Sequence, residues 1–237
     1  MGGTNNINDY YLIGDIDSNN TIITATGNDF LMGGTNNGGL YIIIGDVSGN
    51  IGVITKAGDD ILIGGSGADW LFGDMNQNFA SLITAGNDIL MGGSGNDILV
   101  GDVNQNFGVI VNGGNNTLEG GKGDDQLTGG LVLGNPIENP GVNTFVFDVA
   151  DNGDGHDTVY DFNTAIDILQ FKNMPDAHFD GAIDSLDLHE ISEVVDNNGH
   201  IQMNYNSGNS SIVFFNISMD VGTEITDYIP ASNIIFA

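Results

Sequence analysis

Cysteine and arginine are absent from the 237-residue chain, and lysine occurs only at Lys56, Lys122 and Lys172. Without cysteine there is no disulfide framework and no thiolate metal site, so the fold must be held by packing and by hard-cation binding, which is compatible with secretion. The 3 basic residues face 32 acidic ones, a formal net charge of −29. Such a field repels nucleic acid and anionic membrane surfaces, and nucleic-acid binding is excluded. No run approaches the roughly 20 apolar residues of a membrane helix, so no membrane span is expected. Met1-Gly2-Gly3-Thr4 has neither a basic region nor an apolar core, so no N-terminal signal peptide is expected. Proline is scarce too, 4 against 37 glycines, which argues for many turns and against a helical protein.

What is abundant is aspartate: 27 Asp against 5 Glu. A merely soluble surface would draw on Glu as readily, whereas short, stiff Asp suits tight turns and oxygen-ligand metal sites. So many anions in one compact body repel one another and oppose folding unless cations neutralise them.

Two series of anchors recur in the first 130 residues. Gly-Gly pairs begin at Gly2, Gly33, Gly64, Gly92 and Gly120, spaced 31, 31, 28 and 28, and Gly-Asp pairs begin at Gly14, Gly45, Gly73 and Gly101, spaced 31, 28 and 28. Within a period, Gly64 to Phe72, Gly92 to Val100 and Gly120 to Thr128 fit G-G-x-G-x-D-x-U-x, with U a large apolar residue. The segments ending at Asp29, Asp60 and Asp88, such as Gly86-Asn87-Asp88-Ile89-Leu90, match its second half.

These residues resemble the haemolysin-type, or repeats-in-toxin, calcium-binding repeat family. The resemblance implies a parallel β-roll in which six residues form a turn and three a short strand, with Ca²⁺ between stacked turns. The expected fold is therefore all-β: a parallel β-roll, or β-solenoid, over residues 1–130, a connection over 131–141, and a β-rich C-terminal cap over 142–237. Several Ca²⁺ ions are expected. The residue types give their own reasons. Glycine permits positive φ and brings carbonyls toward an ion, Asp supplies anionic oxygens, and the apolar triplet supplies the strand.

The candidate carboxylate ligands are Asp29, Asp60, Asp69, Asp88, Asp97 and Asp125, joined by Asp74 and Asp102 and by their counterparts Asp15 and Asp46 in the Gly-Asp series. Candidate carbonyl donors are Gly58, Gly64, Gly65, Gly67, Gly86, Gly92, Gly93, Gly95, Gly120, Gly121 and Gly123. The competing reading is that these acids only cap turns by bonding to their own backbone. Where Asn116 and Asn78 replace a carboxylate by a neutral amide, any site should be weaker or absent. Mg²⁺ is not expected, because a carbonyl-rich cage does not impose its octahedron.

From each Gly-Asp pair to the next motif Asp or Asn is a stretch of 16 residues, as in Gly73–Asp88. Each period is therefore expected to be one coil with two strands, such as Ile61–Ile63 and Trp70–Phe72, then Ile89–Met91 and Ile98–Val100, and one lengthened loop. Leu62, Leu71, Leu90 and Leu99 should point into a two-sheet core. Their apolar flanks Ile61/Ile63, Trp70/Phe72 and Ile89/Met91 either lie under Phe79, Leu82, Ile83, Phe107, Val109 and Ile110 of the long loops or meet a partner.

After Leu131 the register is lost. Thr144 to Phe147, Gly153 to Phe162 and Asp167 to Leu169 look like the segment that closes such rolls, and by that resemblance Asp157 and Asp161 are further ligand candidates. The likeness also implies an extracellular protein exported by a type I secretion apparatus through an uncleaved C-terminal signal. Beginning inside a repeat, at Gly2-Gly3, suggests a piece whose effector portion lies elsewhere. No G-x-S-x-G elbow, H-E-x-x-H helix, phosphate loop or cysteine nucleophile occurs, so no catalytic residue is named. A second reading is an adhesion or polysaccharide-binding module in which one face grips a glycan or a protein partner. An ice-binding solenoid would need a Thr/Asn ladder, and the positions matching Thr26 read Ala57, Ala85 and Gly113.

Overall fold

The structure is a computed structural model, and it describes residues 10–15, 26–34, 39–50, 52–79, 81–149, 154–174, 193–197, 200–205, 210–215, 226 and 229–236. Among them the fold is all-β, with a short 3-10 turn at Ala231–Asn233. The chain winds as a parallel β-roll. Its first sheet stacks seven strands: Phe30–Met32, Ile61–Ser66, Ile89–Ser94, Thr117–Lys122, Thr144–Asp148, Ile168–Lys172 and Ile234–Phe236. The second begins Tyr10–Ile13, Tyr41–Ile44, Trp70–Phe72, Ile98–Val100, Gln126–Thr128, His156–Val159, Ser210–Phe214 and is closed by His200–Tyr205 and Glu193–Asn197, the only antiparallel pairs among the described strands. A hairpin thus covers the last parallel strand and moves the edge of the sheet out to Glu193–Asn197.

The leucines do what alternation demands. Leu62, Leu90 and Leu118 lie directly over one another in the first sheet, Leu71, Leu99 and Leu127 in the second, and all six are fully buried between the two. Beyond the repeats the same column is filled by Phe145, Val159 and Leu169, so parallel stacking runs on past residue 130 into 144–172.

Each complete coil has four strands, not two. The stretch expected as a long loop forms Met75–Asn78 and Ser81–Thr84, and one coil later Val103–Asn106 and Val109–Asn112. These pair only with their copies in neighbouring coils, giving a four-stranded sheet that runs from Val47–Asn50 to Leu131–Gly134 and a three-stranded sheet that starts at Val53–Ile54. Residues 131–134, expected within a connection, are therefore the last rung of that third sheet. Between the two small sheets lies a second core of Val47, Met75, Val103, Ile54, Leu82, Ile110, Ala57 and Ala85.

The long loops consequently do not fold back over the flanks of the main sheets. Leu82 and Ile110 point into their own core, while Phe79, Ile83, Phe107 and Val109 face out. The physical reason is backbone pairing: an identical neighbour one coil away offers a full ladder, whereas folding back over side chains offers none. Ile61, Trp70, Ile89 and Met91 remain exposed, while Phe72 and Val100 are buried in a small cluster with Ile42 and Ile44.

Leu90→Ala should cost about 2–5 kcal/mol in urea unfolding with Ca²⁺ present, because the column cannot collapse around the gap. Ile89→Ala, one residue away on the outer face, should cost under about 1 kcal/mol. Equal costs would contradict the placement of the core.

Candidate metal centre

The motif acids form two ladders that climb the roll. On the edge between the first and second sheets, Asp69 Oδ1 accepts the Tyr41 N–H at 2.8 Å, Asp97 Oδ1 that of Asp69 at 2.7 Å, Asp125 Oδ1 that of Asp97 at 2.7 Å, and Asp157 Oδ1 that of Asp125 at 3.0 Å. On the opposite edge Asp60 Oδ1 accepts from Asp29 at 2.6 Å, Asp88 Oδ1 from Asp60 at 2.7 Å, Asn116 Oδ1 from Asp88 at 2.9 Å, Asn143 Oδ1 from Asn116 at 3.1 Å, and Asp167 Oδ1 from Asn143 at 2.8 Å. Each side chain ties its turn to the coil before it. This is more than capping its own turn, since every bond crosses between coils.

The Gly-Asp series lies against the second ladder. Asp46 accepts the Gly58 N–H at 3.0 Å, Asp74 that of Gly86 at 2.9 Å, and Asp102 that of Gly114 at 3.1 Å. Burial raises the pKa of Asp60 and of Asp74, and the like charge of Asp46 beside the first and of Asp88 beside the second raises it further.

In most of these carboxylates one oxygen is bound in this way and the other is not; Asp46 and Asp167 use both. Oδ2 of Asp29, Asp60, Asp69, Asp74, Asp88, Asp97, Asp102 and Asp125 is buried without a hydrogen-bond partner. Glycine geometry shows where these oxygens point. A Cβ built on Gly45 would collide with Asp60 Oδ2 and with the Gly73 carbonyl oxygen, and one on Gly73 with Asp88 Oδ2 and the Gly101 carbonyl. On the other edge Gly64, Gly92 and Gly120 face Oδ2 of Asp69, Asp97 and Asp125 in the same manner. An anionic oxygen therefore abuts a carbonyl oxygen with no donor between them. Buried, unpaired charge is strongly unfavourable, and a hard cation with oxygen ligands resolves it. The residues fit Ca²⁺ on that ground.

Among the described residues no three acidic or histidine side chains converge as one cage, so carboxylates come at most in pairs and backbone carbonyls must supply the rest. Gly65, Gly67, Gly93, Gly95, Gly121 and Gly123 stack with their carbonyls against the next turn; Gly93 has φ 110° and Gly95 φ 131°, which favour glycine. Gly58 and Gly86 likewise stack, the carbonyl of Gly58 lying against Gly86 Cα. Asp161 differs: its two oxygens accept the Gly129 and Gly130 N–H groups at 2.7 and 2.9 Å, a turn-binding role. Asn143 and Asp167 extend the ladder beyond the nonapeptides, and their intervals of 27 and 24 residues hid them from a search at period 28.

These features define a cation-binding parallel β-roll. A family model described as the RTX calcium-binding nonapeptide repeat matches the chain in four copies, at residues 17–40, 53–79, 84–107 and 110–131. No curated protein matches. Among solved structures, the crystal structure of the extracellular lipase LipA from Serratia marcescens is similar over 97% of this chain and 40% of its own, with 18% identity and a TM-score of 0.37. The chain spans well under half of that lipase, and a likeness so loose carries no argument here. The repeat region of this protein is built of RTX calcium-binding nonapeptide repeats.

Burial, with like charge added, raises these carboxylates. Asp97 and Asp125 are pushed up to about 7, Asp60 to about 8 and Asp157 to about 10, while Asp74 and Asp88 rise well above 3.8. Between 3.8 and these values the metal-free fold binds more protons than the unfolded chain, so its stability falls as pH rises. In chelator the β signal should therefore strengthen from pH 8 to pH 5, roughly the window of those shifts. Protons and Ca²⁺ compete for the same oxygens, so the half-saturating Ca²⁺ concentration should fall as pH rises. Circular dichroism at several pH values checks both, and a pH-independent result in either would refute the assignment.

Proposed function

We propose that this chain is the calcium-driven folding module of a secreted protein, exported by a type I apparatus and supporting an effector portion. The single observation that carries the proposal is the set of eight buried, unpartnered Oδ2 atoms, seven of them facing a glycine turn. On one edge the pairs Asp15/Asp29, Asp46/Asp60 and Asp74/Asp88, with the Gly45, Gly73 and Gly101 carbonyls, would hold ions. On the other, Asp69, Asp97, Asp125 and Asp157 would do so with glycine carbonyls such as those of Gly92 and Gly120. Ca²⁺ supplies the positive charge that lets opposing oxygens share a turn. Because these sites exist only in the fold, ion binding contributes its free energy directly to folding. A chain without the metal inside a low-calcium cell, folding outside, suits export. The glycine-rich coils lose about 1–2 kcal/mol of backbone entropy per residue, and burial from short strands does not offset this together with the charge.

A second reading, a polysaccharide-binding or adhesion face, is favoured by aligned rows on the third sheet. Phe79 stacks on Phe107 at 5.3 Å, and Asn76, Gln77 and Asn78 bond to Asn104, Gln105 and Asn106 at 2.9–3.0 Å. Those amides are engaged with one another, so the calcium reading stands first. Retardation of the folded protein in polysaccharide-containing gels, lost in Phe79→Ala/Phe107→Ala, would support the second.

In a Ca²⁺ titration followed by far-UV circular dichroism, the repeat region should go from largely disordered in chelator to β-rich at about millimolar Ca²⁺, with Mg²⁺ much less effective. An unchanged β spectrum in excess chelator would refute the proposal. Asp97→Ala should remove one ion, whereas Asp124→Ala, at a solvent-facing position, should remove none. Ion counting on the gel-filtered variants decides it.

A further inference from the structure

We infer that the side-chain amide of Asn116 stands where a calcium ion sits in the preceding coils, so that the ion row on this edge ends at Asn116 and this rung is held without metal. The inference rests on the calcium reading above.

Three successive coils present the same constellation. A Gly-Asp aspartate lies 14 residues before the ladder residue and a glycine carbonyl 13 after it: Asp46, Asp60 and Gly73; Asp74, Asp88 and Gly101; Asp102, Asn116 and Gly129. In all three the ladder oxygen Oδ1 does the same thing, accepting the N–H of the residue one coil earlier. The second atom differs. Oδ2 of Asp60 and of Asp88 is buried and unpartnered. Asn116 Nδ2 instead donates to Asp102 Oδ1 at 2.8 Å and to the Gly129 carbonyl at 2.9 Å.

The atoms occupy equivalent places. A Cβ on Gly45 meets Asp60 Oδ2 and the Gly73 carbonyl; one on Gly73 meets Asp88 Oδ2 and the Gly101 carbonyl; one on Gly101 meets Asn116 Nδ2 and the Gly129 carbonyl. Where two acceptors abut, a cation must intervene; where an amide N–H₂ faces two acceptors, the positive end of its dipole does that work directly. Asn143 repeats the substitution one coil on, with its Nδ2 against Gly129. Asp102 Oδ2 stays unspent on the side of Gly113 and Gly130, so the anionic partner of the missing site is still in place. One change, Asn116→Asp, would complete the pair.

The test uses the full chain in Ca²⁺, with bound ions counted by calorimetry and by metal analysis after gel filtration. N116D should bind one more Ca²⁺ than wild type. D88N should bind one fewer yet keep its melting midpoint in Ca²⁺ within about 5 °C of wild type, because the amide fills the place of the ion it removes. D88A, which loses the ion and offers no donor, should melt about 10 °C lower. An N116D count equal to wild type, or a D88N midpoint as low as that of D88A, overturns the inference alone. A wild-type chain that takes up no Ca²⁺ overturns the calcium reading and this inference with it.

Discussion

The structure depends on one confrontation repeated along both edges of the roll: a buried carboxylate oxygen set against a glycine carbonyl with no donor between them. Everything that draws the coils together brings these oxygens closer. The Oδ1 ladder pulls each turn onto the coil before it, and the absence of a Cβ at Gly45, Gly73, Gly64 and Gly92 lets the turns close to contact. The same contacts that order the backbone therefore concentrate negative charge. Stacking and cation demand are two aspects of a single geometry, and neither can be relieved without the other.

This explains why aspartate, rather than glutamate, dominates the acids. Each motif residue has two tasks at once, one oxygen for a backbone N–H a coil away and one for the interior of the turn. Asp, with its carboxyl one bond nearer the backbone, holds both oxygens at fixed positions, whereas a Glu would swing. Asn performs the first task as well as Asp, as Asn116 and Asn143 show, and fails only at the second. The amide and the acid are thus interchangeable in the ladder and opposite in charge demand.

Much of this was legible in the sequence because the repeat is strict where the backbone is constrained. The leucine column, the three-residue strands Trp70–Phe72 and Ile98–Val100 and the turn glycines follow from register alone. The third and fourth sheets did not, because Met75-Asn76-Gln77-Asn78 is short and mostly polar and carries no strand-like alternation of apolar residues. Its signal was identity between copies: the string Asn-Gln-Asn-Phe recurs at 76–79 and 104–107, which only stacking with a neighbour explains. The ladder beyond Asn116 was hidden for a different reason. Once the second lobe ends after Leu131–Gly134, the coils shorten, and Asn143 and Asp167 keep their rungs at intervals that a fixed period misses.

The two edges are unequal, and the inequality runs along the chain. The edge carrying Asp69, Asp97, Asp125 and Asp157 keeps an acid at every rung, whereas the edge carrying Asp60 and Asp88 turns to amides at Asn116 and Asn143 before it reaches Asp167. The change falls where the second lobe stops, and the cap reaches back there from the other side: Tyr205, on a closing antiparallel strand, donates to Asp154 at 2.6 Å in the last turn. Hydrogen bonds thus supply, near the cap, the donors that the buried oxygens of the earlier coils lack. Metal demand is graded, heaviest where two rows of carboxylates run in parallel and least where amides and a tyrosine hydroxyl supply the donors.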